Sequence, residues 1–252
     1  MKENDQKLLI WGIHPVEEVL KVSSNYIDTI FVLPSFGKKK NQAKLLKYIQ
    51  KKGLLPQTVA DFHRFRLPQN AVHQGICAYV SSFWETDLSE LISIALNKKA
   101  PIVICDQIED PQNLGGIIRA TVGFFACGLI IPPKNNARIN GTVIKASSGA
   151  LFHTKVCTRV NIQKAILKLK EQDIPVVGLD AHGAQEIFSA DFSLPLALVL
   201  GSESRGIRKN VKKELDLSIR IPINKVLDSL NVSCSACVAL YEISKKLAEL
   251  ID

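Results

Sequence analysis

Apolar and polar positions alternate along the chain with two periods, one of two or of short continuous runs and one near 3.6 residues. In the first eighty residues, strand-like runs at 27–33, 54–59 and 75–81 alternate with helical patterns near 16–22 and 41–52, which predicts a small α/β unit. The segment 82–100 (SFWETDLSELISIALNKKA) predicts a turn, a short helix capped by Asp87 or Ser89, and a Lys-Lys-Ala-Pro exit. It reads as a linker. From Pro101 onward PIVICD, GLIIP, IPVVGLD, PLALVLG and LSIRIPI are short buried-strand runs separated mostly by helix-length stretches. That alternation predicts a mainly parallel sheet covered on both faces. The expected division is therefore 1–81, a linker at 82–100, and 101–252. At the C-terminus Val232, Ala236, Ala239/Leu240, Ile243, Leu247 and Leu250 mark one buried face of an amphipathic helix running to the chain end.

Composition changes this picture little, whereas charge distribution changes it more. A chain of 252 residues with 46% apolar and 22% charged residues can bury an ordinary core. No apolar run approaches a membrane span, and the opening MKENDQKLLIWGIHP has neither a signal-peptide core nor a transit-peptide bias. A cytoplasmic protein with no membrane association is expected, and six unpatterned cysteines fit a reducing compartment. The net charge of +8 is concentrated. No acid lies between Asp28 and Asp61, where Lys38, Lys39, Lys40, Lys44, Lys47, Lys51 and Lys52 fall in one segment. Sixty residues between Asp110 and Glu171 also lack Asp and Glu and hold nine Lys/Arg. Clustered cations without acids suggest contact with a polyanion; for the first zone alone, a solvated lysine-rich helix face is an equal alternative.

Ligands of parallel sheets bind in loops beyond the carboxyl ends of strands. Three such loops stand out: QIEDPQNLGGIIRAT after PIVICD, GSESRGI after PLALVL, and INKVLDSLNVS after LSIRIP. Each joins turn formers to a helix start. None carries G-x-G-x-x-G, and the run from Gly201 to Ile207 lacks the phosphate-binding lysine, which argues against a dinucleotide or nucleoside triphosphate. Cys234 and Cys237 have redox or half-zinc-site spacing, yet the other four cysteines are scattered singly, so no metal site is expected. The pair is expected instead to fill space as small apolar residues. Ser229 and Asn231 fall at the helix start, where they can cap amides and where free backbone N–H groups can meet a ligand.

DPQNLGGIIRA, LVLGSESRGI and IPINKVLDSLNVS resemble, in order, the three motifs of the SpoU (TrmH-like) branch of the SPOUT RNA ribose 2′-O-methyltransferases. KASSGALFHTKV resembles a segment these enzymes carry between the first two motifs. WGIHPVEEVL and HQGICAYV resemble the start and end of the substrate-binding domain of members acting on large-subunit rRNA. The resemblance implies a C-terminal α/β trefoil-knot (SPOUT) methyltransferase domain behind a smaller N-terminal α/β (L30e-like) substrate-binding domain. It also implies S-adenosylmethionine as cofactor and a homodimer with active sites near the subunit interface. Periodicity alone does not predict a knot.

By that matching, Asn113, Arg119, Glu203, Ser229 and Asn231 are the expected catalytic residues. Leu200, Gly201, Ile221 and Leu230 are the expected cofactor contacts, and Lys38, Lys39, Lys40, Lys44, His73 and Arg119 the expected RNA contacts. Arg119 has two open roles, general base or clamp. A guanidinium pKa above about 12 favours a bidentate clamp on phosphate that stabilises developing alkoxide charge. The alternative for Arg119 is a surface ion pair with Glu109 or Asp110. Two positions depart from the family pattern: Ser204 stands where a small residue, usually Gly, follows the second-motif glutamate, and Lys225 stands at a Gly of the third motif. The expected reaction is 2′-O-methylation of a guanosine in large-subunit rRNA. The alternatives are a tRNA or another rRNA site, or a non-catalytic RNA-binding or ribosome-assembly factor. A thiol redox or zinc protein would rest on Cys234 and Cys237 alone.

Overall fold

A computed structural model describes residues 7–81, 84–191 and 193–248. The first six residues, the start of the expected linker at 82–83, and Leu250 of the expected helix face lie outside them, as does the side chain of Leu247. In chain order the elements begin with β1 (Leu8–Trp11), α1 (Ile13–Val22), β2 (Ile27–Val32), α2 (Lys40–Lys51), β3 (Gln57–Thr58) and β4 (Ile76–Val80). Then come α3 (Leu88–Lys98), β5 (Ile102–Asp106), α4 (Pro111–Gly123), β6 (Gly128–Ile130), α5 (Gly141–Ala146), β7 (Lys155–Cys157) and α6 (Ile162–Lys170). The last are β8 (Val176–Leu179), β9 (Gln185–Glu186), β10 (Ala197–Gly201), α7 (Lys209–Lys212), β11 (Leu217–Arg220) and α8 (Val232–Ala248).

The chain forms two compact units. The first combines the residues before 84 with a later stretch, 139–153. Its sheet has the order β1-β4-β2-β3, antiparallel except for the β2/β3 pair. The strand expected at 54–59 shrinks to the two exposed residues of β3 on the sheet edge. Pro56 brings no N–H to a ladder and the chain turns at Gly53 with φ +77°, so little strand is left. A second small core gathers Trp11, Phe31, Phe62, Phe65 and Cys77. The 139–153 stretch joins this unit through close packing. Gly141 at the start of α5 lies so near the Trp11 ring and the Leu9 carbonyl that a Cβ there would collide with both. His153 is held by Glu18 at 2.8 Å.

The second unit is built on seven strands in the order β7-β6-β5-β10-β8-β11-β9, every pair parallel. β5 and β10 are buried at every residue, as a sheet covered on both faces requires. β7 and β9, at three and two residues, are too short to stand out as apolar runs. α3, placed by sequence in a linker, is a core helix: Leu88, Leu91, Ile92 and Ala95 pack in one cluster with Ile166 and Leu169 of α6 and with Ile102, Ile104, Ala197 and Val199 of the sheet. Asp87 occupies its N-cap position without a side-chain cap bond. α4 and α8 pack against each other, closely enough at Gly116 that a Cβ would lie 2.7 Å from the Ser233 Cβ. On α8, Val232, Ala236, Ala239, Leu240 and Ile243 are buried as their spacing predicts. β10 enters the sheet between β5 and β8 and β11 lies beyond β8, so the carboxyl ends of three neighbouring strands open toward one side.

Candidate active site

The loop after β10 is a closed turn clamped to the loop after β5. Ser202 and Gly206 exchange two backbone hydrogen bonds of 3.2 and 2.8 Å, and Gly206 has φ +64°. Gly201 sits beneath this turn, where a Cβ would run into the Gly206 and Ile207 backbone, so the position admits only glycine. Two arginines hold the turn in place. Arg208 donates its N–H and Nε–H to the fully buried Asp106 carboxylate at 2.9 and 2.6 Å, and Arg205 donates to Glu109 at 2.8 Å. Asp106 is the last residue of PIVICD, so the end of β5 fixes the shape of the β10 loop. Removing Arg208 would leave the buried Asp106 carboxylate without its cation.

Beside this turn lies a cavity of about 410 Å³ bounded by three loops, after β8 (Leu179 to His182), after β10 (Leu200 to Gly206) and after β11 (Ile221 to Ser235). That volume is within the range of small-molecule sites. Its walls mix Leu179, Leu200, Ile221, Ile223, Leu230 and Val232 with Asp180, Glu203, Asp228, Ser202 and Ser229. Asp180 is tied down by Lys212 and by the His182 N–H at 3.0 Å. Burial works to raise its pKa, but those hydrogen bonds and the Lys212 charge outweigh it and hold the carboxyl below its ordinary 3.8.

At the cavity mouth Asn231 starts α8. Its Oδ1 accepts from the Ser233 N–H at 2.9 Å, the Ser233 hydroxyl at 2.6 Å and the Cys234 N–H at 3.4 Å. This is an N-cap, and it settles which way the amide faces, because backbone N–H groups demand the oxygen. The Nδ2 is then aimed at the Asn113 Oδ1, 2.9 Å away, and the Glu203 Oε2, 3.3 Å away. Asn113 is itself placed by the start of α4, where Asp110 accepts from the amides of Gln112 and Asn113. One side chain from each of the three loops singled out in the sequence thus meets in one hydrogen-bonded group.

Several expectations need correction. The α8 amides expected to be free for a ligand are partly used, since Asn231 takes those of Ser233 and Cys234. Cys234 and Cys237 fill no interior space: both are exposed. Burial and then Cys234 raise the Cys237 thiol pKa, against an opposing influence from Arg119. The loop after β5 does not itself line the cavity and meets it through Glu109, which holds Arg205, and through Asn113; the β8 loop lines it instead. Leu200, Gly201, Glu203, Ile221, Ser229 and Leu230 all lie on the cavity wall. Arg119 does not; it is exposed on α4 near Cys237, and it has no ion pair among the described residues. Neither carboxylate considered for it is free, because Glu109 holds Arg205 and Asp110 caps α4. Ser204 lines the cavity 3.3 Å from Ser202 Oγ, and Lys225 is exposed in the turn held by Asn224. Asp180, His182 and Lys212 were missed by sequence reasoning. The one signal for the first two is the turn that ends IPVVGLD, and Lys212, on α7, has none.

In the first unit Lys38, Lys39, Lys40 and Lys44 are exposed, and no carboxylate pairs with them among the described residues. His73 stabilises a turn, its Nδ1 accepting from the Gly75 N–H at 3.0 Å and its ring edge-on to Phe62. No group of three metal-ligating side chains occurs among the described residues, and no helix there is long and apolar enough to cross a membrane.

Residues 100–241 match the SpoU rRNA Methylase family, and residues 9–84 match the RNA 2′-O ribose methyltransferase substrate-binding domain. A Staphylococcus haemolyticus protein assigned to the TrmH family of tRNA/rRNA methyltransferases is 34% identical over 98% of this chain and 99% of its own. YacO of Bacillus subtilis, assigned likewise, is 35% identical over 82% of this chain and 84% of its own. Among solved structures, the SpoU methyltransferase AviRb of Streptomyces viridochromogenes, crystallised with the cofactor AdoMet, is similar in fold at a TM-score of 0.78 and 22% identity. That match covers 95% of this chain and 90% of AviRb. An AdoMet-bound rRNA methyltransferase of Sinorhizobium meliloti is similar at a TM-score of 0.76 and 21% identity, covering 96% of this chain and 88% of that one.

Proposed function

This chain belongs to the SpoU rRNA Methylase family, and we propose that it transfers the methyl group of S-adenosylmethionine to the 2′-hydroxyl of a guanosine ribose in large-subunit rRNA. The observation that carries the reading is the Asn113–Asn231–Glu203 group at the mouth of a cavity whose charges favour a cation. Of the cations on the wall, Arg205 is paired with Glu109 and Lys212 with Asp180. Glu203 and Asp228 have no cationic partner among the described residues. Such a wall suits a ligand carrying sulfonium and ammonium charges and repels the phosphates of ATP or NAD. The apolar residues suit the flat faces of an adenine, and Gly201 permits close backbone approach. The residues present therefore fit the cofactor.

S-adenosylmethionine, when bound, supplies an electrophilic methyl carbon on sulfur. The protein's contribution is positional. Transfer needs the attacking oxygen about 3–3.5 Å from that carbon and in line with the bond that breaks. Asn231, held by its own cap, keeps Asn113 and Glu203 in register across the mouth where the ribose enters. Arg119 serves as a bidentate clamp on the RNA phosphate and stabilises negative charge developing on the 2′-oxygen. We place the working form in a homodimer. Arg119 lies off its own cavity, near Cys237 on the outer face of α8, where Cys234, Val238 and Tyr241 are also exposed. A second copy covering this surface would carry Arg119 toward an active site. The first unit is assigned RNA binding through the exposed lysines of α2 and its preceding loop.

Calorimetry with S-adenosylmethionine, ATP and NAD tests the cofactor, and mass mapping of ribose methylation in rRNA incubated with enzyme and S-adenosylmethionine tests the reaction. Binding of S-adenosylmethionine alone among the three, with one new 2′-O-methylguanosine, is expected. ATP or NAD binding in its place would refute the cofactor reading, and a methylated base would refute the ribose assignment.

A further inference from the structure

The first unit carries an arginine that no charge accounts for. Arg64, exposed in the 3₁₀ turn His63–Phe65, lays its guanidinium 4.8 Å from the Phe65 ring centroid and 5.3 Å from that of Phe31. No carboxylate pairs with it among the described residues. The nearest acid in sequence, Asp61, has its Oδ1 engaged by the His63 N–H at 2.9 Å. The support beneath the guanidinium is firm. Phe31, Phe62 and Phe65 are buried, Phe31 and Phe65 pack at 4.7 Å with their planes tilted by 51°, and Tyr79 stands edge-on to Phe31 at 6.1 Å. The same surface continues through His73, packed on Phe62 at 4.9 Å, to Gln74, whose carbonyl accepts from the Gln42 side chain at 3.0 Å in the first turn of α2. Arg66, which ends the 3₁₀ turn, and Gln74 both hold left-handed backbone, φ +50° and +54°.

A planar cation resting on aromatic rings, with its outer face open, has the shape of a base-stacking platform. Single-stranded RNA is recognised by stacking unpaired bases on aromatic rings or guanidinium planes, whereas paired RNA presents mainly backbone. We propose that Arg64 is a stacking site for an unpaired nucleobase of the RNA substrate. The α2 lysines then take the neighbouring phosphates, and the first unit selects a loop or bulge over a continuous duplex. This rests on the RNA-methyltransferase reading above and adds to it the conformation of RNA that is bound.

The test uses the full chain and its Arg64→Lys and Arg64→Ala variants, with binding measured across a salt series. Two RNAs of equal length are compared, a hairpin with an unpaired loop and a fully paired duplex. S-adenosylmethionine affinity and thermal melting serve as controls that the variants are folded. Stacking predicts that both variants lose about ten-fold in affinity for the hairpin, which is about 1.4 kcal/mol and within the range for one stacked base. It also predicts an unchanged salt slope for Arg64→Lys and little effect of either variant on the duplex. A purely electrostatic contact instead predicts that Arg64→Lys binds like wild type and that Arg64→Ala lowers the slope by roughly 0.7–0.9. That pattern, equal losses on hairpin and duplex, or no loss at all overturns the proposal while leaving the methyltransferase reading intact. Wild-type protein that binds neither RNA overturns both.

Discussion

Replacing Asn231 by Ser and by Ala separates two jobs that one side chain performs. Its oxygen caps α8 and its nitrogen bridges Asn113 and Glu203. Alanine removes both. Loss of an asparagine cap costs about 1 kcal/mol within a range of about 0.5–2. The bridge is two hydrogen bonds in a partly exposed setting, one of them to a carboxylate, and contributes on the order of another 1 kcal/mol in total. A sum near 2 kcal/mol should lower the melting temperature by roughly 4–8 °C for a domain of this size. Serine retains the cap and lacks the bridge, so its melting temperature should fall about half as far. Activity should not divide in the same way. Both variants lose the amide that holds Asn113 and Glu203 in register, and a misplacement near 1 Å can cost about a hundred-fold in rate. Single-turnover methyl transfer at saturating S-adenosylmethionine should therefore be slow in both, with the serine variant folded and still binding cofactor. A serine variant as active as wild type would show that capping is all Asn231 does, and the proposed alignment of the mouth would fall.

Three further outcomes are expected. Arg119→Lys keeps the charge and loses the fork, so transfer should be slow at every pH while S-adenosylmethionine still binds; activity rising along a lysine-like titration would instead make the residue a base. Asp180 has its folded pKa held below 3.8, so its contribution is complete above that value and is lost as pH falls through the lower folded one. Melting temperatures of wild type should accordingly exceed those of Asp180→Asn by a margin that is constant near neutrality and shrinks below about pH 4; a margin that grows on acidification would contradict the assignment. Among the six cysteines, Cys234 and Cys237 alone should alkylate readily in the native monomer, because they are exposed, whereas Cys77, Cys105 and Cys157 are buried and the half-buried Cys127 has its thiol pushed up to about 12. Their labelling should slow as protein concentration rises, since the proposed dimer covers them; labelling independent of concentration in a proven dimer would place the interface elsewhere.

Much of the second unit could be read from sequence, and the misses have physical causes. PIVICD and PLALVLG announce buried parallel strands because both faces of β5 and β10 are covered. The start of α8 was legible because a cap needs a short polar side chain in front of an apolar period. Periodicity also had the answer for the cysteines. If 232, 236, 239, 240 and 243 face inward, then 234 and 237 face outward, and residue-type preference for burial misled where spacing did not. The membership of 139–153 in the first unit was not legible, because it depends on Gly141 fitting beneath Trp11, a contact between residues 130 positions apart. The role of α3 was missed for a related reason. An amphipathic helix of eleven residues looks the same in a linker as in a core.

Motif spacing pointed to the residues of the Asn113–Asn231–Glu203 group and gave no sign of the cavity's charge balance. The mouth depends on residues that each announce themselves locally, a cap at Asn231, a Pro-led helix start before Asn113 and a glycine-closed turn at Glu203. Charge selectivity depends on subtraction. The wall holds two cations, Arg205 and Lys212, against the three carboxylates Asp180, Glu203 and Asp228, so with both cations free it would be only slightly acidic, and the chain as a whole is basic. Glu109 lies outside the cavity and takes up Arg205, while Asp180 takes up Lys212. What remains facing the ligand is Glu203 and Asp228. A basic protein can thus present exposed lysines on α2 and, in its other unit, a cavity whose unpaired charges are acidic. Pairings between residues as far apart as Glu109 and Arg205 have no signature in a linear sequence, so the sign of the pocket emerges only when the fold decides which cations are already taken.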